Sequence, residues 1–229
     1  MNLGIVLLGG KGTRIGKKIP KQFLLIDNKP MFVYSVEAFM NNEYINEIAL
    51  VIPKEYSDYV KKMIKFYNLT KVKYLIEGGD TRHKSLWNAL KHLSTVCNDN
   101  DIVVIHDAAR PFIDRNLITA NIKGVERFGA VSTAYRNVDS LTKLNADGSF
   151  HSVDRNNLIH IQTPQSFRFH DIYEAHAQFK EEATEDSQLL RRLGKRIHFI
   201  EGSPLLFKVT TLEDVIMADL LAKGIKQNG

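Results

Sequence analysis

The chain has 229 residues, 44% hydrophobic, 25% charged and 9% aromatic, a balance that excludes collagen-like, disordered and disulfide-scaffold classes. With 31 Lys+Arg against 26 Asp+Glu the formal charge is +5, and residues 1–26 hold five bases, Lys11, Arg14, Lys17, Lys18 and Lys21, before the first acid, Asp27. No apolar run reaches the ~18 residues of a membrane span, no signal-peptide pattern opens the chain, and the single cysteine, Cys97, suits a reducing compartment, so a cytoplasmic protein is expected.

The run Leu3–Leu8 reads as a buried strand, closed by Gly9-Gly10-Lys11-Gly12. Pro30 fits the first turn of a helix whose apolar positions Phe32, Val33, Val36 and Phe39 recur at helical spacing. A strand at Ile48–Ile52 ends at Pro53, a helix occupies 55–67, and a third strand at Val72–Ile76 stops at Gly78-Gly79-Asp80. A helix from about Thr81 carries Leu86, Leu90 and Leu93 on one stripe, and Ile102–Ile105 is the strongest strand signal in the chain. Between about 139 and 155 the alternation breaks: two short segments flank an Asp147-Gly148 turn, predicting a hairpin arm with little core of its own. Helices near 169–180 and 186–193 and a strand at Phe207–Thr210 follow, and Thr211-x-x-Asp214 caps a final helix. The fold class expected is α/β, one domain over 1–229, with a mainly parallel sheet, helices on both faces and a β-arm at about 139–155 that either lies on the parent domain or reaches a second subunit.

A glycine-rich turn after the first strand of such a sheet lies where these folds bind ligands. The dinucleotide fingerprint fails because Gly16 comes one place late, and the G-x-x-x-x-G-K-[ST] phosphate loop is absent. Glycines still allow backbone N–H groups to approach an anion, and Arg14 and Lys21 can fold over it from two sides, which suits a polyphosphate. Asp107 follows the strongest strand; alone it is as readily a turn-forming Asp as a site residue, and His106 is more often a satisfied buried histidine than a ligand. Asp80 or Thr81 can merely cap a helix. Arg155 alone reads first as structural, whereas Lys208 among apolar neighbours is costly unless it meets an anion or acid.

Together these segments resemble the 2-C-methyl-D-erythritol 4-phosphate cytidylyltransferase family, within the sugar-nucleotide-forming nucleotidyltransferases. The motifs stand in order: the Gly-rich loop with Arg14 and Pro20-Lys21-Gln22, Gly79-Asp80-x-Arg82-x-x-Ser85, His106-Asp107-Ala108-Ala109-Arg110-Pro111, Val153-Asp154-Arg155-Asn156, Thr163-Pro164-Gln165 and Lys208-Val209-Thr210. The resemblance implies a Rossmann-like nucleotidyltransferase sheet, transfer of CMP from CTP to methylerythritol phosphate with release of pyrophosphate, and a homodimer whose projecting β-arm reaches the partner. It implies Mg²⁺ held chiefly by the phosphates, with no dedicated protein ligands. Arg14, Lys21, Arg155 and Lys208 then stand at catalytic positions. Leu8, Gly9, Gly10, Gly12, Gly79, Asp80, Ser85 and Ala108 surround the nucleotide, and Asp107, Arg110, Ser140 and Thr163 the acceptor. Two departures are visible: Leu8-Gly9 replaces a small Ala-Ala pair, and Ser140 replaces Thr. The loop and Gln162–Phe167 also resemble the sister enzymes that use ribitol 5-phosphate, whereas the Arg82-to-Ser85 segment and Ala108-Ala109 favour methylerythritol phosphate. A basic module that binds nucleic acid or nucleotides without chemistry would explain the charge but not why Arg14, Lys21 and Lys208 stand in separate motifs, and no basic stretch is interleaved with aromatics. Neither nucleic acid nor membrane is expected as a partner.

Overall fold

The computed structural model describes residues 1–9 and 19–227. Its centre is a seven-stranded sheet. β1 (Asn2–Leu7) lies between β4 (Glu47–Ile52) and β6 (Ile102–Asp107), parallel to both, and β5 (Val72–Glu77) extends the sheet beyond β4. On the other side β10 (Ile159–Arg168) is antiparallel to β6 and to β7 (Ala130–Arg136), and β11 (His198–Glu201) pairs parallel with β7. A small pair, β2 (Leu25–Ile26) and β3 (Lys29–Pro30), precedes the first helix.

Side chains alternate across a strand, so β1 feeds two cores. Val6, with Leu50 and Val104, faces α1 (Met31–Met40), α2 (Ser57–Phe66) and α4 (Arg115–Phe128), where Phe32, Phe39, Val60 and Ile122 are buried. Leu3, Ile5 and Leu7 face the opposite layer, formed by α3 (Arg82–Leu93), α5 (Phe169–Gln178) and α6 (Asp186–Arg192). With both faces covered, β1, β4 and β6 are buried along nearly their whole length, as unbroken apolar runs require. A third small core places Ala218 and Ala222 of α7 (Leu212–Gln227) against Ile26, Met31 and Val209. No helix among the described residues is long and apolar enough to cross a membrane.

The hairpin consists of β8 (Leu141–Leu144) and β9 (Phe150–Val153), whose turn places Gly148 at φ 83, a conformation glycine adopts without a Cβ clash. Pro30 sits one place before α1 rather than in its first turn. The strand expected at Phe207–Thr210 does not form. After a 3-10 turn at Pro204–Leu206 the segment crosses the end of β6, with the Val209 N–H donating to the Ala109 carbonyl while the Val209 side chain enters the third core. Lys208 is therefore held beside the sheet ends rather than in mid-strand.

Candidate active site

Parallel strands end on one side of the sheet, and the first of these ends, that of β1, leads into Leu8 and Gly9. The Leu8 N–H donates to the Val51 carbonyl and its own carbonyl accepts from Gln22, so both backbone groups of Leu8 are used within the fold. Gly9 faces the start of α3. There Thr81 caps the helix by accepting from the Lys84 N–H, and Ser85 is buried beneath the preceding loop. The Gly79 N–H donates to Ser85 Oγ at 3.0 Å, and Ser85 Oγ–H donates back to the Gly79 carbonyl at 3.2 Å. A Cβ on Gly79 would lie 2.5 Å from that of Lys84, so this close approach requires glycine. Ala108 is fully buried, its N–H bonded to the Leu7 carbonyl, whereas Asp80 presents an exposed carboxylate.

Between these glycines, Pro20 and Pro53 opens a compartment of about 270 Å³. It runs, through Gly9 and Asp80, into a smaller one of about 180 Å³ bounded by Lys21, Arg82, Asp107 and Lys208. Arg82, Asp107 and Lys208 also bound a third, of about 300 Å³, reached by Arg110, Thr163 and Gln165. The three form one trough along the strand ends, with a cluster of charges at the inner joint.

That cluster is built around Asp107. Lys208 Nζ donates to Asp107 Oδ2 at 2.7 Å and Arg82 Nε to Asp107 Oδ1 at 3.0 Å. Burial alone would raise the Asp107 carboxyl, but the adjacent Arg82 and Lys208 charges outweigh it and hold the group well below the ordinary carboxylate range. Behind it, the Asp107 N–H donates to Thr163 Oγ1 at 3.1 Å, and Thr163 Oγ1 lies 3.1 Å from His106 Nδ1. Burial pushes His106 down to about 4, so at neutral pH the ring is uncharged. Its Nε2–H then donates to the Arg110 carbonyl at 3.0 Å, and Nδ1 accepts from Thr163. Arg110 donates through Nη1 to the Leu206 carbonyl at 2.8 Å, and burial lowers its guanidinium below the usual arginine value. Lys21 Nζ donates to the Val209 carbonyl at 2.7 Å, which ties the first basic segment to the one carrying Lys208.

The structure thus brings Gly9, Lys21, Gly79, Asp80, Ser85, Asp107, Arg110, Thr163 and Lys208 to one trough or its immediate walls. Ser140 and Arg155 are elsewhere: both lie at the base of the exposed hairpin, where Arg155 Nη1 donates to the Val138 carbonyl at 3.0 Å. Gly10, Gly12 and Arg14 lie outside the described residues. No three His, Cys, Asp or Glu side chains stand together as metal ligands among the described residues.

The family model for 2-C-methyl-D-erythritol 4-phosphate cytidylyltransferase (IspD) matches residues 3–223. The chain belongs to this family. It is 36% identical over 223 residues to the 2-C-methyl-D-erythritol 4-phosphate cytidylyltransferase of Thermotoga neapolitana, covering 97% of each sequence. With that of Clostridium tetani it shares 38% identity over 228 residues, 97% of this chain and 90% of the relative. The crystal structure of 4-diphosphocytidyl-2C-methyl-D-erythritol synthase from Anaerococcus prevotii superimposes with a TM-score of 0.82 at 25% identity, covering 97% and 98% of the two chains. In this cytidylyltransferase, sequence reasoning overlooked the charges that organise the trough from behind. Arg82 and Gln165 were visible only as motif letters, and Asp186 gave no local signal. A buried acid opening a seven-residue helix looks like an ordinary helix-start residue until its partner, 104 positions away, is known.

Proposed function

We infer that the protein transfers CMP from CTP to the phosphate of 2-C-methyl-D-erythritol 4-phosphate, giving 4-diphosphocytidyl-2-C-methyl-D-erythritol and pyrophosphate in isoprenoid biosynthesis. Besides family membership, the observation that supports it is the trough, with a glycine-lined compartment at one end, a basic joint, and a polar compartment at the other.

The acceptor phosphate is itself an anionic nucleophile, so the reaction needs no general base. What it needs is the approach of two anions and stabilisation of charge at the α-phosphorus. In this scheme Gly9, Gly79, Asp80 and Ser85 border the nucleotide, and Lys21 with Arg14 offsets charge on the triphosphate. Lys208 at the joint meets the incoming phosphate, while Asp107, Arg110 and Thr163 shape the acceptor end. Both Asp107 oxygens are already engaged by Arg82 and Lys208, and the joint is cationic, so a divalent cation fits here as a companion of the triphosphate. Bound in that way, as Mg²⁺, it would neutralise phosphate charge. Ser140 and Arg155 complete the acceptor end of a second subunit in a homodimer joined through the arm. The exposed apolar side chains of β8 and β9 support that assembly.

The test is pyrophosphate release from CTP and Mg²⁺ by purified protein, with methylerythritol phosphate and ribitol 5-phosphate supplied in parallel. Release with methylerythritol phosphate is expected. Absence of release with either acceptor overturns the enzyme assignment, and preference for ribitol phosphate overturns the acceptor.

A further inference from the structure

We propose that Asp186, outside the trough, is a positioning residue for this reaction: by clamping Arg82 it divides the arginine's donors so that Asp107 keeps one oxygen for Lys208. The proposal rests on the cytidylyltransferase reading above.

Asp186 opens α6 with its side chain 3% exposed. Its two carboxylate oxygens accept Arg82 Nη1 and Nη2, each at 2.8 Å, a bidentate pairing that fixes the plane of the guanidinium. With the fork occupied, Nε is the donor that Arg82 directs at Asp107, and it reaches Oδ1 alone. Oδ2 is then available to Lys208. Were the fork released, Arg82 could turn it on Asp107 and take both oxygens, and Lys208 would lose the partner that sets its ammonium at the joint.

The clamp is itself held in register. Gln165 Oε1 accepts from the N–H groups of Asp186 and Ser187 at 3.0 and 3.1 Å, while Gln165 Nε2 donates to Ser132 Oγ and Glu185 Oε2, each at 2.9 Å. Gln165 lies on β10 two residues from Thr163, whose hydroxyl accepts the Asp107 N–H. One strand thus fixes the backbone behind both acids, and the distance between them is set by β10. On its far side Asp186 is closed off by fully buried His176, whose Nε2 lies 3.7 Å from Oδ1.

The rival account is a buried ion pair that only fastens α6 to α3. The two differ in which kinetic constant moves. Asp186 does not border the nucleotide compartment, so a positioning role predicts that Asp186→Asn lowers kcat/KM for the acceptor by about 100-fold, the penalty of misplacing a group by roughly 1 Å, with the Kd for CTP unchanged. Because the effect runs through Lys208, Asp186→Asn added to Lys208→Ala should cost nothing further. Kinetics with pyrophosphate readout, CTP calorimetry and thermal unfolding are measured together on wild type, the two single variants and the double variant. If Asp186→Asn does not fold, Asp186→Glu, which keeps the charge but shifts the carboxylate by one methylene, carries the same comparison. Equal loss of CTP and acceptor binding, an unchanged acceptor kcat/KM in a folded variant, or additive losses in the double variant would overturn the proposal. Wild-type protein that releases no pyrophosphate overturns the function on which it rests, whatever the variants do.

Discussion

The trough and the β8–β9 hairpin are held together by opposite means. In the trough the decisive partners are remote in sequence: Lys208 and Asp107 are 101 positions apart, Arg82 and Asp186 104. In the hairpin, side-chain bonds span two to four positions, as from Ser149 to Asp147 and from Asn145 to Ser149. Every residue of β8 is exposed, and so are all of β9 but Val153, whereas β6, which ends in the trough, is buried throughout. The trough exists only once the sheet is assembled, and its charges are shielded by that assembly. The hairpin can close on itself, but a two-stranded ribbon without a buried face is marginal in water, so its stability has to come from what lies against it.

If the trough's charges do the chemistry, the largest effect comes from removing the one that meets the acceptor. Lys208→Ala is expected to lower kcat by about 10²–10³-fold, the range for deleting one donor to developing charge, while CTP still binds. Steady-state kinetics with calorimetry checks this. Activity near that of wild type would show that the joint of the trough is not where the phosphates meet.

A second contrast concerns pH. His106 is pushed by burial from its ordinary value near 6.5 down to about 4, so between those values the unfolded chain takes up a proton that the native protein refuses. Its contribution to stability is complete above pH 6.5 and is lost as the pH falls toward 4. Between pH 7 and pH 5 the loss is about 2 kcal/mol. Asp186, whose pKa burial alone would raise but which Arg82 and His176 hold down to about 2, adds a further loss below the ordinary carboxylate value. Urea unfolding at pH 7 and pH 5 should show this slope in wild type and a flatter one in His106→Gln. Equal slopes in the two proteins would place the acid sensitivity elsewhere.

What the sequence disclosed follows the same division. β1, β4 and β6 were readable because strands buried on both faces need unbroken apolar runs, and the hairpin because Asp147-Gly148 states its turn locally. β10 was not readable, although it lies between β6 and β7 in the sheet. Its buried positions include Gln162, Thr163, Gln165 and Ser166, and a Pro within a run argues against a strand. Two of those polar groups hold the trough: Thr163 supports Asp107, and Gln165 supports Asp186. A strand whose side chains serve a site loses the pattern by which strands are recognised. Asp80, Asp107 and Lys208, singled out in the sequence, are gathered at the trough by the fold, whereas Arg82 and Asp186 could be paired only by the fold.

The smallest effect on folding, and the sharpest test of the hairpin's dependence on an outside surface, comes from its two most exposed large apolar side chains. Leu144 and Phe150 are cross-strand partners, 72% and 73% exposed, so replacing both with Asp removes little that the protomer buries. Protomer stability should change by no more than about 0.5 kcal/mol, as for surface substitutions elsewhere. If a second copy covers the hairpin, two carboxylates placed into that contact cannot be desolvated without partners, and sedimentation should shift from dimer to monomer. Ser140 and Arg155 flank the same ribbon, so acceptor turnover should fall with dissociation while CTP binding persists, and Arg155→Ala should reproduce the kinetic loss in a protein that remains dimeric. Leu144→Asp/Phe150→Asp protein that sediments as wild type would mean that the ribbon stands free, and the acceptor end would then have to be complete within one chain.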